Sequence, residues 1–477
     1  MTGREMFREL LATFPGKAGV VMLVILIGLS IYAAVRFPLD WGRNEWSDPA
    51  RWSDNPKSAP PAWVNLLPGT DRLGTTKLAA STPTDVSPSG NGEVRTYRLP
   101  ITFDADEPPT FVSLSVAAVT YYSRPPILTV SLARPDETEV VLYRQVVRGP
   151  REGEVAPFQR FRQAPLRVVL NNESTAIANM ADFFRDTYGA DLHQTTVRNS
   201  MNRALFGRPD PNDPDGLVLM PGEYVFNLRV SFTDARDSLE SVQFVVAGSV
   251  FGLMGTDALG RDLAQALLFG LPIALIIGIS ASVITTSIGA TLGVISGYAG
   301  GRTDMVIQRF ADIVANVPLL PLLIFFVFVV GSNLYLIILF LVAFSWPGLT
   351  ILLRSMVLQM RTGQLIESAT TLGASRWRIM YRHIFPHVAP YVFAQMIFFA
   401  PAAILAEASL SFLGLGDPSI PTWGQILENG FRTGAVFLGY WWWVIPPGVL
   451  IIITAVTFMF LALGMEPVVN PRLRRVR

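Results

Sequence analysis

The sequence predicts a polytopic α-helical membrane protein with six transmembrane helices and an inserted extracytoplasmic β-rich, sandwich-like domain between helices 1 and 2. Three observations predict it. Half of the 477 residues are hydrophobic and only 16% are charged, a membrane composition diluted by something soluble. The apolar residues gather into runs that cross a bilayer core of roughly 30 Å at about 1.5 Å per residue. Between the first two runs the pattern changes to alternating, β-branched segments punctuated by Pro and Gly.

The first run is Ala18 to Val35, preceded by Arg4, Arg8 and Lys17. It lacks a small-x-small cleavage site, so it reads as a retained helix with a cytoplasmic N-terminus (residues 1–36) and not as a signal peptide. Residues 37–250 form the inserted domain. Asp40 to Gly92 is rich in Pro, Ser, Asp, Asn and Trp and reads as irregular. Strands follow in Val94 to Val147, and a helix near Thr175 to Tyr188 carries Ile177, Met180, Phe183 and Phe184 at helical spacing. Strands resume at Gly222 to Val230 and Ser241 to Ala247. Placed after one inside-to-outside helix, this domain belongs outside.

Residues 251–467 hold the remaining helices. Leu271 to Tyr298 is rich in small residues, among them Gly278, Ser280, Ala281, Ser282, Gly289, Gly293 and Gly297, which let membrane helices pack closely. An inner loop is expected from Gly300 to Asp312. Val317 to Val330 and Leu334 to Leu353 follow, joined by Gly331-Ser332-Asn333, and His387 to Leu413 and Val444 to Leu463 complete the set. The row Tyr440-Trp441-Trp442-Trp443 suits the headgroup level, and the basic tail, residues 468–477, belongs inside.

Residues 361–390 form the most informative stretch. Its basic residues Arg361, Arg376, Arg378 and Arg382, with Arg354 at its edge, put it in the cytoplasm. It reads as two short helices meeting at Gly373, the first from Gln364 to Leu372 and the second N-capped by Ser375, with Pro386 and Pro390 closing it.

Chemistry is sparse. With no cysteine there is no disulfide or thiolate. Gly16-Lys17 lacks the upstream Gly of a nucleotide phosphate loop, and Gly255-Thr256-Asp257-Ala258-Leu259-Gly260-Arg261-Asp262 lacks the Lys-Ser or Lys-Thr that would make it one. His383 and His387 share a spacing with metal ligands, but Pro386 lies between them and no Glu takes the zincin position, so no metal site is expected. No catalytic residue is expected either. Glu407 is the one acid inside a span. It reads first as a structural group bonded to Ser409 and Ser411, and second as an ion-coupling site of a secondary transporter. A membrane-anchored sensor or adhesion protein would need only one span. The net charge of +1 neither favours nor opposes nucleic acid, and none is expected as a partner.

Glu367-Ser368-Ala369, Gly373, Ile379, His383, Ile384 and Pro386 resemble the E-A-A, three residues, G, I-x-x-x-H-I-x-P loop of bacterial ABC importer permeases, with Ser368 where that family usually has Ala. Gly255, Thr256, Asp257, Gly260, Arg261 and Asp262 resemble the G-T-D-x-x-G-R-D signature of C-type dipeptide and oligopeptide permeases. Gly300, Gly301 and Asp304 resemble the family's G-Y-x-G-G-x-x-D. Glu407, Ser409, Gly414, Gly416 and Trp423 lie in a stretch similar to its E-A-S-L-S-F-L-G-L-G and P-x-W-G. The resemblance covers Phe251 to Arg477, and loosely Phe7 to Val35, and implies the C-type permease subunit of a binding-protein-dependent ABC importer for dipeptides, oligopeptides or another solute such as nickel or an oligosaccharide. It further implies a second, B-type permease, two ABC ATPase subunits that carry ATP and Mg, an extracellular solute-binding protein and a location in the cell membrane. No cofactor is implied on this chain. The 37–250 insertion departs from the family's shorter loop.

Overall fold

The computed structural model describes residues 3–38, 40–90 and 92–469; residues 470–477 of the expected basic tail lie outside them. The chain divides into two compact units, Met1–Pro49 with Leu263–Arg477, and Ala50–Asp262. The boundaries fall at 49 and 263, not at 37 and 250, because segments far apart in sequence close the second unit. Thr256 Oγ1 donates to the Pro56 carbonyl at 2.7 Å and accepts from the Ala59 amide at 2.9 Å.

The Ala50–Asp262 unit is a sandwich of two antiparallel five-stranded sheets. One has the order β1 (Thr76–Ala80), β12 (Ser238–Ala247), β4 (Phe111–Tyr121), β7 (Phe158–Arg160), with β8 (Leu166–Val169) also on β4. The other runs β2 (Asp85–Ser89), β3 (Gly92–Phe103), β11 (Gly222–Phe232), β5 (Ile127–Ala133), β6 (Glu139–Val146). A small ribbon of β9 (Gly207–Asp210) and β10 (Asp213–Leu219) stands apart. Alternation sets the core: Tyr224, Phe226, Leu228 and Val230 of β11 and Leu114, Val116, Val242 and Phe244 of the facing sheet are buried in one cluster. Phe226 and Phe244 stack across the sandwich with ring centroids 4.8 Å apart. A helical insert, α3 (Ser174–Tyr188), α4 (Gln194–Asn199) and α5 (Met201–Leu205), covers one side with Ile177, Met180 and Phe184 buried. Arg134 is buried beneath it, donating to the Ala204 and Gly207 carbonyls and lying 5.3 Å from the Phe183 ring centroid. The stretch expected to be irregular before Gly92 contributes β1 and β2, which pair at sheet edges.

The helical unit contains α1 (Gly3–Leu10), α2 (Phe14–Arg36), α6 (Leu263–Ala299), α7 (Gly301–Ala315), α8 (Leu319–Val330), α9 (Leu334–Ser345), α10 (Pro347–Arg361), α11 (Gln364–Thr371), α12 (Arg376–Arg378), α13 (Phe385–Phe412), α14 (Trp423–Arg432) and α15 (Trp441–Val469). Among the described residues five helical stretches are long and apolar enough to cross a membrane, and six if α7 and α8, bent by 74° at their junction, count as one. The expected inner loop 300–312 is instead the amphipathic helix α7. The expected third span is the 12-residue α8, which at about 18 Å cannot cross the core alone.

The first and last long helices pack where Gly19 leaves room for Leu461: a Cβ there would stand 2.8 Å from the Leu461 nitrogen. An extended close contact joins α6 and α10. Gly289, Gly293 and Gly297 lie on one face, and a Cβ on each would sit 3.1, 3.0 and 2.9 Å from the carbonyl oxygens of Trp346, Thr350 and Arg354. Thr350 Oγ1 adds a 3.2 Å bond to the Gly289 carbonyl. Small residues at i, i+4, i+8 bring the two backbones together where the lipid offers no hydrophobic drive. Gly293→Leu is therefore expected to separate α6 from α10, lowering the detergent melting temperature by several degrees, whereas Gly348→Leu, whose Cβ would meet nothing within 4 Å, leaves it unchanged. Tryptophan-fluorescence melts of the two variants check this.

Candidate functional site

The sequence of residues 361–390 folds locally for reasons that its own residues supply. α11 ends in a Schellman motif: the Gly373 amide donates to the Thr370 carbonyl at 3.0 Å and the Ala374 amide to the Ala369 carbonyl at 3.1 Å. Gly373 takes φ +75°, the left-handed conformation that costs an L side chain. A Cβ there would meet nothing within 4 Å, so the strain is in the backbone and the space beside it is open. Ser375 then caps the next helix, its Oγ accepting from the Arg378 amide at 3.4 Å. That helix does not close at Pro386 or Pro390. It widens into a π-helix over Ile379–Ile384 and continues as α13, with Pro386 in the first turn and Pro390 and Pro401 inside. The wide turn just upstream absorbs the prolyl ring and its missing N–H. His387 Nδ1 lies 2.7 Å from the His383 carbonyl.

One side of this double turn is fixed. Ile366, Ala369, Ile379, Met380 and Ile384 are buried with Val294, Leu349, Leu353 and Val357 of α6 and α10. The other side is exposed and apolar: Leu372, Trp377 and Tyr381 keep 87%, 71% and 79% of their surface. Next to it opens a groove of about 700 Å³ lined by Tyr298, Arg361, Glu367, Thr371, Arg376 and others. Glu367 is exposed at its rim, and Ser368, also exposed, bonds back to the Gln364 carbonyl at 2.7 Å. The region is a rigid base carrying an apolar tip with both charge signs beside it.

The Gly255–Asp262 segment lies in the β-rich unit and is a turn organised by one carboxylate. Asp257 accepts from the Leu259 and Arg261 amides, each at 2.9 Å, and pairs with Arg261 Nε at 2.5 Å. Gly260, at φ +81°, has the Asn55 and Trp52 carbonyls 2.9 Å from its would-be Cβ, and Asn55 Nδ2 donates to the Gly260 carbonyl at 3.0 Å. Thr256 and Asp262 face one another across an isolated antiparallel bridge.

The third group of residues surrounds the end of α13. Glu407 is buried and accepts from Ser411 Oγ at 2.7 Å. Ser409 does not reach it: it is exposed and returns to the Leu405 carbonyl at 2.7 Å. Gly414, at φ +81°, closes α13 with the same Schellman pattern, Gly414 to Ser411 at 3.0 Å and Leu415 to Leu410 at 3.1 Å. Gly416 leaves space for Gln425, and Gly424 lets α14 touch α13, where a Cβ would stand 2.6 Å from the Ala408 Cα. The Trp423 indole donates to the Leu267 carbonyl at 3.0 Å. These residues brace the turn between α13 and α14. Among the described residues no cluster of three or more His, Asp or Glu is placed to hold a metal ion.

Sequence reasoning did not find two features: the groove wall from Tyr298 and Arg361, and a polar cluster of Ser296, Asp304, Gln308 and Arg354. Both join residues distant in sequence. The polar character of the Asp304 helix, taken for a loop, was the signal available.

The helical unit thus combines membrane-length helices with a turn whose apolar tip is exposed. Comparison with known proteins gives the family. Residues 289–475 match the family described as binding-protein-dependent transport system inner membrane component. The chain is 34% identical over 222 residues to the dipeptide transport system permease protein DppC of Bacillus subtilis, covering 46% of this chain and 69% of that one. It is 35% identical to the oligopeptide transport system permease protein OppC of the same organism, covering 46% and 72%. With the glutathione transport system permease protein GsiD of Pectobacterium atrosepticum it shares 34% identity, covering 46% and 73%. The chain belongs to the binding-protein-dependent transport system inner membrane component family.

Glu407→Gln keeps an acceptor for Ser411 and is expected to leave both uptake and melting temperature near wild type. Glu407→Leu leaves Ser411 unpaired in the interior, at a cost of about 1–3 kcal/mol. Parallel uptake and thermal-melt measurements on the two variants check this, and loss of uptake in Glu407→Gln alone would instead make the carboxylate an ion-coupling group.

Proposed function

We propose that this chain is a transmembrane permease subunit of an ATP-driven ABC importer for dipeptides or oligopeptides. It works with a second, B-type permease, two ABC ATPase subunits that bind ATP and Mg, and an extracellular solute-binding protein. Both termini lie in the cytoplasm and the β-rich unit lies outside, where it docks the binding protein or braces the partner permease. The single observation that carries the reading is the 361–390 turn, anchored by Ile366, Ile379 and Ile384 and exposed at Leu372, Trp377 and Tyr381. A knob buried on one face and apolar on the other is suited to insertion in a cleft of a partner.

In this reading α11 and the turn after it seat in the ATPase. Of the residues in the family pattern, Glu367, Ser368, Gly373, His383 and Pro386 are open to that contact, while Ala369, Ile379 and Ile384 are buried and anchor the turn. Closure of the ATPases moves the turn as one body, because its inner face shares a core with α6 and α10. The attached helices then reorient a pathway between the two permeases, shifting its population between inward and outward access. The relatives named above give the peptide assignment. Cargo selection rests with the binding protein, so nickel or oligosaccharide import by the same mechanism is decided by which solutes compete for uptake.

Purification of the tagged chain from its native membrane in mild detergent tests the reading. The wild type is expected to bring a second permease and two ATPases. Leu372→Glu, which places a charge on the exposed tip without touching the core, is expected to lose the ATPases and retain the permease. Recovery of the ATPases unchanged in Leu372→Glu would remove this turn from the contact.

A further inference from the structure

Polar side chains from three helices meet inside the helical unit. Arg354 of α10 holds Asp304 of α7 with both ends of its guanidinium, Nε to Oδ1 at 2.5 Å and Nη2 to Oδ2 at 2.6 Å. Ser296 of α6 donates to Asp304 Oδ1 at 2.5 Å and accepts from Gln308 Nε2 of α7 at 2.9 Å. Ser296 is fully buried, and the side chains of Asp304 and Arg354 keep 15% and 31% of their surface. Asp304 also occupies the first turn of α7, where the helix dipole favours a carboxylate. Bidentate geometry fixes direction as well as distance.

What distinguishes this cluster is how little else secures α7. Among its described residues only Ala311 is buried, and Met305, Val306, Phe310 and Ile313 face outward. α6 and α10, by contrast, interlock through glycines. α7 is thus held to α10 by this polar cluster at one end and by a ring stack of Phe310 on Trp346, centroids 5.8 Å apart, at the other. Arg354 lies about two turns before Arg361, where α10 runs into the 361–390 stretch. There the Arg361 guanidinium covers Gly300, the N-cap of α7, with Nη1 2.6 Å from where a Cβ would stand. Beyond α7 the chain bends by 74° into α8.

We propose that Asp304 and Arg354 are positioning residues for transport: their ion pair makes α7, and the bent α8 after it, follow the coupling turn as a unit throughout the cycle. This rests on the coupling reading above. The pair thus transmits movement and is not a gate that opens and recloses.

The absence of cysteine from the sequence allows a direct test in the complete complex. In D304C/R354C the charges are gone and a short bifunctional thiol reagent can restore a covalent link. The expected result is that the ATPases are still recovered and still hydrolyse ATP, while uptake falls by about tenfold, the scale of ordinary coupling free energies. Tethering the two cysteines returns most of the uptake, and the exchanged pair D304R/R354D returns part of it. Uptake that survives in D304C/R354C overturns the proposal. So does uptake that stays lost after tethering, which would make the pair a gate. Loss of the ATPases from both D304C/R354C and the gentler D304N would make it a structural brace and overturn the proposal equally. Wild-type complex without ATPases would defeat the coupling reading itself, and that result is read before any variant is made.

Discussion

The close approach of α6 and α10 is the constraint on which the helical unit depends. Gly289, Gly293 and Gly297 let the α6 backbone approach the Trp346, Thr350 and Arg354 carbonyls so closely that an added Cβ would stand 3.1, 3.0 and 2.9 Å from them, tighter than ordinary van der Waals contact. In lipid, where burying a methyl group gains little over leaving it exposed, such backbone proximity and its dispersion contacts are the main source of helix cohesion. The pair forms a stiff beam. Leu349, Leu353 and Val357 line one side of it, and into that side Ile366, Ala369, Ile379 and Ile384 pack. The turn at Gly373 is held by the beam and not by its own short helices, which are too brief to be stable alone.

Function follows from that hierarchy. A docking tip transmits force only if it is rigid relative to what it moves, and the shared core of the 361–390 turn with α6 and α10 supplies the rigidity. The Asp304–Arg354 pair ties α7 to α10. The buried Glu407 and the Trp423 indole do a parallel service at the end of α13, fixing the turn into α14 through hydrogen bonds whose partners lie within the same unit. The sandwich of Ala50–Asp262 has an independent aromatic and aliphatic core and closes upon itself through Thr256 and Asp257.

Much of this was legible in the residues because much of it is local. The cap at Ser375, the left-handed Gly373 and the alternation of β3, β4 and β11 are each written within a few neighbouring positions. The glycine face of α6 was legible as small residues at helical spacing, although not its partner. Where reading failed, the deciding contacts were remote. Pro386 and Pro390 look like stops, but a π-turn and a long packed helix accommodate them. The 300–312 stretch looks like a loop because its polar residues point at Arg354, some fifty positions away. The compact unit Ala50–Asp262 was not legible as such, because Thr256 bonds to Pro56 across 200 residues, which no sequence window spans. For the stretches read by family pattern, the geometry, an organised turn at Asp257 and a braced helix end at Glu407, came only from the fold.

The central claim is that the exposed tip of the 361–390 turn enters an ATPase subunit and moves with it. Its most direct measurement uses a single cysteine, W377C, in the otherwise cysteine-free chain, carrying a photoactivatable thiol label in the assembled complex. The account requires a crosslink to the ATPase subunit, with the crosslinked position shifting or its yield changing when a non-hydrolysable ATP analogue is added. A label that remains open to aqueous quenchers in the assembled complex and yields no ATPase adduct under either condition would contradict it.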